Sequence, residues 1–235
     1  MVNKAGCPTY TTIQTILYND DCMEVMRNMS DNSVDLTLTD IPYGEVNRKD
    51  NGLRNLNKGK ADIMSFDLID FCKQIYRLTK STIIIFCGKG QFSPIYQFFD
   101  SQKNGTTRQI IWQKSNPSPM NGQYVYLSGV ENAVWFKKRG GGQFNAHCRN
   151  TVFKYPNGSS NLHPTQKNLN LIRQLILENS NKCNKVFDPC FGSCTTGVAC
   201  LETDRDFIGI EKDEYYYNLG TQRLQVALKE INQKK

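Results

Sequence analysis

The sequence predicts an α/β fold built on a doubly wound, mostly parallel sheet. Three observations predict it. Short apolar strands alternate with helical stretches along the whole chain. Thr82–Phe86 (TIIIF) is apolar enough for a central strand covered on both faces. One strand candidate, Phe207–Glu211, ends on an acid, and two others, Leu36–Thr39 and Val186–Phe187, run straight into Asp40 and Asp188. In such sheets ligands bind at the carboxyl ends of strands.

The elements follow in order. Thr15–Tyr18 (TILY) and Leu36–Thr39 (LTLT) read as strands, with a helix over Cys22–Met29 between them. Ile63, Phe66, Ile69, Ile75 and Leu78 fall near one side of a helix over Ile63–Leu78. After TIIIF, Gly88–Gly90 reads as a turn and Pro94–Phe99 as a helix. Gln109–Trp112 and Ala133–Phe136 are later strands. Ser180–Lys185 is a polar link to the strand Val186–Phe187. A helix over Thr196–Leu201, the strand Phe207–Glu211 and a helix near Tyr216–Ile231 close the chain. Loops are expected at Gly44–Lys60, Ser115–Gly129 and Arg139–His163.

The 235 residues suffice for one large domain, residues 1–235, and would be cramped for two. A charged fraction of 22% against 39% hydrophobic excludes a disordered chain. The net charge of +7 favours a polyanionic partner. Basic residues concentrate in loops: Arg48, Lys49, Arg54 and Lys58 in the first, and Lys137, Lys138 and Arg139 before the third. These seven are the candidate nucleic-acid contacts. Nine scattered cysteines without a signal peptide or long apolar span point to reduced thiols in the cytoplasm. A zinc site would draw on His147, Cys148, His163, Cys183, Cys190 and Cys194. No pair has the two-residue spacing of a zinc finger or ribbon, so no metal is expected.

Two stretches carry chemistry. LTLTDIPYGEV climbs an apolar strand to Asp40 and breaks at once into Ile41-Pro42-Tyr43-Gly44. VFDPCFGSCTTG leads from a strand into Asp188, a small-residue turn and a helix, which points backbone N–H groups at whatever lies above the strand end. It lacks both the G-x-G-x-x-G fingerprint and the P-loop lysine. Glu211 follows at about the 20-residue spacing at which an acid meets ribose hydroxyls. Together they point to an adenosine-type cofactor.

Four motifs resemble those of the DNA amino-methyltransferases. Asp40-Ile41-Pro42-Tyr43 is similar to their Asp-Pro-Pro-Tyr, and Asp188-Pro189-Cys190-Phe191-Gly192-Ser193-Cys194-Thr195-Thr196 to their cofactor motif. His163-Pro164-Thr165-Gln166-Lys167 matches the family's His-Pro-Thr-Gln-Lys, and Asn19-Asp20-Asp21-Cys22 resembles its Gly-Asp-Cys. The order, catalytic motif before cofactor motif, is that of the permuted β group. The resemblance spans about Thr15 to Tyr217. It implies a circularly permuted Rossmann-like sheet of seven strands, one antiparallel, with helices on both faces. The chain would begin on the family's third strand and return to the first and second near its end.

The resemblance also implies roles. The cofactor would be S-adenosyl-L-methionine, held by Asp21 (with Asp20 as competitor), His163, Thr165, Lys167, Asp188, Phe191, Gly192, Ser193, Cys194, Thr195 and Glu211. His163, Thr165 and Lys167 would serve the methionine carboxylate at a helix start. Asp40 and the Ile41 carbonyl, stiffened by Pro42, would accept hydrogen bonds from an exocyclic amino group, while Tyr43 stacks on a base extruded from double-stranded DNA. Asp at the first motif position leans toward adenine N6. Cytosine N4, and a non-catalytic DNA-binding relative, are the alternatives. A homodimer and a cognate restriction endonuclease are the partners such an enzyme admits. Two departures stand out: Ile41 replaces a proline, adding an N–H that needs a partner, and Cys194 replaces a glycine, adding a Cβ where positive φ would disfavour it.

Overall fold

The computed structural model describes residues 13–43, 64–118, 122–142, 144–158 and 166–233. In chain order the elements are β1 (Thr15–Asn19), α1 (Cys22–Asn28), β2 (Val34–Asp40), α2 (Leu68–Leu78), β3 (Thr79–Cys87), α3 (Lys89–Asp100) and β4 (Gly105–Lys114). Then come β5 (Val130–Lys138), β6 (Val152–Tyr155), α4 (Leu169–Asn179), β7 (Lys185–Asp188), α5 (Thr195–Glu202), β8 (Asp206–Glu211) and α6 (Glu214–Gln233).

The sheet has the order β1-β8-β7-β2-β3-β5-β4-β6. Among the described strands only β5 runs against the rest, pairing antiparallel with β3 and β4. The chain enters at one edge and returns late to fill the middle: β8 lies beside β1, and β7 pairs parallel with both β8 and β2. This is the permuted order that the motifs implied. Among the described residues the sheet has eight strands, not seven. The extra one, β6, falls in a stretch expected to be loop. Its sequence VFKY is short, but it pairs parallel with β4, becomes the edge of the sheet and buries Phe153.

Strand alternation sorts the core onto two faces. Ile84 and Phe86 face one way, packing with Leu171 and Leu175 of α4, Val198 of α5 and Leu224 of α6. Ile83 and Ile85 face the other, with Met26 of α1, Phe71 and Ile75 of α2, and Phe99 of α3. Each such side chain fully buried contributes about 1.5–3 kcal/mol.

Helix starts decide the largest boundary differences. α2 begins at Leu68 rather than Ile63 because Asp67 accepts hydrogen bonds from the N–H groups of Ile69 and Asp70. Phe66, expected on the helix, instead stacks on Phe71 at 4.5 Å. α3 begins at Lys89, well before Pro94, because the Gln91 side chain accepts from the Gly88 N–H at 2.8 Å and closes the first turn.

Candidate active site

The order of the sheet reverses between β7 and β2, and the carboxyl ends of these two strands part to leave a crevice. A cavity of about 1190 Å³ opens there. Asp40 and Tyr43 line it beyond β2, Asp188 to Ser193 beyond β7, and Glu211 beyond β8. Both chemical motifs therefore face one space.

The two departures find physical accounts. The Ile41 N–H donates to the Phe86 carbonyl at 3.2 Å, prolonging the pairing of β2 with β3. Its side chain is 1% exposed and fills the core on the α1–α3 face. The Pro42 carbonyl accepts from Gln91 Nε2 at 2.7 Å. The tripeptide is thus braced without the missing proline ring. Cys194 does adopt the left-handed conformation, φ 58° and ψ 36°. Its side chain is wholly buried and is not among the cavity's lining residues, although Ser193 and Thr195 on either side are. Cys194 therefore reaches the core rather than a cofactor. Glycines make the room: a Cβ on Gly197 would fall 2.5 Å from Cys194 Sγ, and one on Gly220 would fall 3.1 Å from its Cβ.

At the cofactor end, Asp188 is buried and its carboxylate accepts from Thr39 Oγ1 at 2.8 Å, Thr196 Oγ1 at 2.7 Å and the Cys190 N–H at 3.2 Å. Burial outweighs these donors and pushes its pKa up to about 6. Glu211 accepts from the N–H groups of Gly192 and Asp213, both at 2.9 Å, and so ties the turn to β8. Burial raises its pKa as well. Asp21 caps α1 through the Met23 N–H and pairs with Lys212 at 3.0 Å. Arg223 of α6 donates to the Ser193 carbonyl at 2.8 Å and to Thr195 Oγ1 at 2.9 Å, clamping the turn from behind.

At the other end, Lys167 is 6% exposed and sits between two carboxylates, 2.5 Å from Asp40 Oδ2 and 2.9 Å from Glu131 Oε2. It was expected beside a methionine carboxylate; its ammonium belongs instead to Asp40. The reason is position: Lys167 precedes the α4 start, where Asn168 caps the helix through the Leu171 N–H and leaves the lysine to turn into the cavity. The Tyr43 hydroxyl donates to Asp40 Oδ1 at 2.9 Å and also lies 3.3 Å from Glu131 Oε2. Lys114 completes the cluster at 2.7 Å from Glu131. Burial raises Asp40 against the pull of Lys167. Burial would raise Glu131 too, but Lys167 and Lys114 bring it down to about 2.

The basic residues divide. Arg48, Lys49, Arg54 and Lys58 lie outside the described residues, as do His163 and Thr165. Lys137 and Lys138 are placed away from the cavity. Because β5 is antiparallel, its carboxyl end meets Thr82 of β3 and Gly105 of β4, far from the strand ends that bear Asp40 and Asp188. Lys137 Nζ donates to the Gly142 carbonyl at 2.8 Å and Lys138 Nζ to the Tyr76 carbonyl at 2.6 Å. Arg139 follows them at the same end of the sheet. Charge alone marked these residues, and the strand direction that sets them away from the cavity was not readable from it. Conversely, Glu131, Gln91 and Arg223 were missed. Glu131 would have surfaced had the strand been extended from Ala133 back to Val130, since it then joins the acids at sheet ends.

Residues 146–222 match the family model described as DNA methylase, N6_N4_Mtase. The matched stretch resembles that family. The chain is 26% identical to the type II methyltransferase M2.MboI of Moraxella bovis, over 88% of this chain and 86% of that one. It superposes on a structure of an M1.HpyAVI–SAM complex with a TM-score of 0.69 and 27% identity, covering 90% of this chain and 100% of that one. The PvuII cytosine-N4-specific DNA methyltransferase shares the fold, with a TM-score of 0.68 at 17% identity over 95% and 94% of the two chains. The match to the family model includes Lys167, Asp188 to Thr196 and Glu211 but not Asp40, so the catalytic end rests on geometry.

Proposed function

We propose that the protein transfers a methyl group from S-adenosyl-L-methionine to the exocyclic N6 of an adenine extruded from double-stranded DNA. One observation carries this reading: the Asp40–Tyr43 motif and the Asp188–Thr196 turn open into the same cavity. Asp188, Phe191, Gly192, Ser193, Thr195, Glu211 and Asp21 would hold the cofactor. The turn's shape is fixed from behind by Arg223 and from the side by Glu211.

The exocyclic nitrogen is a poor nucleophile because its lone pair is delocalised into the ring. Asp40 and the Ile41 carbonyl, accepting its two hydrogens, draw it toward tetrahedral geometry and aim the lone pair at the sulfonium methyl. The remaining work is positioning and charge complementarity. The methylated ammonium is strongly acidic and sheds its proton without a strong base.

The lean to adenine rests on Asp, rather than Ser, opening the Asp40 motif. Cytosine N4 is the second reading, favoured by the fold likeness to the PvuII enzyme. DNA is the partner in either case. A homodimer would enlarge a recognition surface that the short 143–162 segment leaves small, and a cognate restriction endonuclease would give the modification its purpose. The whole of 1–235 would act as one domain. Incubation with labelled S-adenosylmethionine and unmethylated duplex DNA tests the reading: label should enter DNA, and Asp40→Ala should abolish it. Label that persists in Asp40→Ala sinks the role given to Asp40.

A further inference from the structure

Both oxygens of Asp40 are already engaged: Oδ1 by the Tyr43 hydroxyl and Oδ2 by Lys167. A target amino group needs one of them, so one donor must yield. Lys167 is poorly placed to do so. It is held by Asp40 and Glu131 together, beneath the surface, and lies over the rings of Tyr43 and Phe86 at 5.2 and 5.4 Å. Leaving Asp40 would uncover a carboxylate in a desolvated site. The Tyr43 hydroxyl has a second acceptor within reach, Glu131 Oε2 at 3.3 Å. A shift of a few tenths of an ångström completes that bond.

We propose that Lys167 and Glu131 are a positioning pair for the base end of the site: Lys167 holds Asp40 Oδ2 so that Oδ1 alone is presented to the amino group, and Glu131 takes over the Tyr43 hydroxyl when the base arrives. The inference rests on the methyl-transfer reading above. Its residues come from three separate elements: the end of β2, the start of β5 and the segment before α4. The charged and titratable groups facing Asp40 are Lys167, Glu131, Tyr43, Cys87 at the end of β3 and Asp188 at the end of β7, with Lys114 behind Glu131. Among them Lys167 supplies the largest attraction and Glu131 the largest repulsion.

The first arm of the test needs no activity. Side-chain carboxyl carbon NMR on the full chain, with Asp40→Asn for assignment, gives the Asp40 midpoint. Lys167→Met is expected to raise it and Glu131→Gln to lower it. Midpoints that stay put, or that move in the same direction, overturn the pairing; either variant alone decides if the other does not fold. The second arm uses the wild type's own methyl transfer. Glu131→Leu removes the acceptor to which the Tyr43 hydroxyl would turn, leaving it the Lys167 ammonium, which donates to it at 3.1 Å, and should lower kcat about tenfold. Tyr43→Phe in that background should restore part of the loss while cofactor affinity stays constant. No restoration overturns the handover. A wild type that methylates no DNA defeats the methyl-transfer reading instead, and the NMR midpoints still decide the pairing.

Discussion

Asp188 and Thr39 are joined across the switch point of the sheet by a 2.8 Å hydrogen bond from the threonine hydroxyl to the buried carboxylate. The bond links the strand that ends in the cofactor turn to the one that ends in Asp40. Burial leaves Asp188 with a pKa of about 6, so its charge changes just below neutrality. S-adenosylmethionine carries positive charge on its sulfonium and amino groups. Its affinity is therefore expected to fall as pH drops through about 6, measured by calorimetry between pH 5 and 8. Asp188→Asn should bind weakly at every pH and lose that dependence. An affinity that is flat in the wild type contradicts an ionised Asp188 at the cofactor.

The same group sets a stability trend. Its folded pKa lies above the usual aspartate value, so the native state holds the proton more tightly than the unfolded chain. Stability from this group is present at low pH and lost as pH rises through about 6. Glu131 acts oppositely: its folded pKa of about 2 gives stability above the ordinary glutamate range that is lost as pH falls toward 2. Denaturant melts of Asp188→Asn should lack the fall between about pH 4 and 6 that the wild type shows.

Cys194 and Gly197 form a size-matched pair. Gly197→Ala is expected to destabilise by about 1–3 kcal/mol through overpacking against Cys194 Sγ and Phe207. Adding Cys194→Gly should recover part of that and also relieve about 1–2 kcal/mol of left-handed strain. Cys194→Gly alone should leave cofactor affinity unchanged, because its side chain faces away from the cavity. Thermal melts and calorimetry check the two statements separately.

Arg223→Met removes the donor that fixes the Ser193 carbonyl and the Thr195 hydroxyl. Such charge-assisted bonds contribute about 1.5–3 kcal/mol each, so cofactor affinity should fall about tenfold or more. An unchanged affinity would mean that the turn holds its shape without α6.

Lys137→Ala with Lys138→Ala should leave DNA affinity and its salt dependence unaltered, since both lie at the end of the sheet opposite the cavity. A shallower salt slope in binding titrations would restore them to the DNA surface.

Much of the fold was legible because its signals are local. The run TIIIF, the acids closing β2 and β8, and the late VFDP strand fix a parallel sheet and its permuted order. What stayed hidden depends on direction and partnership. β6 has only four residues, and pairing with β4 rather than sequence pattern makes it a strand. Lys167 belongs to a matching motif, yet its partner is 127 residues away in the chain. Glu131 carries no motif at all; only the antiparallel run of β5 brings it to Asp40 and Tyr43. The Ile41 substitution looked like a weakness in sequence and is a core residue in the structure.

The most direct test of the central claim is single-molecule sequencing of modified bases in unmethylated duplex DNA exposed to the protein and S-adenosylmethionine. The expected result is N6-methyladenine at one short site, absent with Asp40→Ala. DNA that remains unmodified, or modification that survives Asp40→Ala, would contradict it.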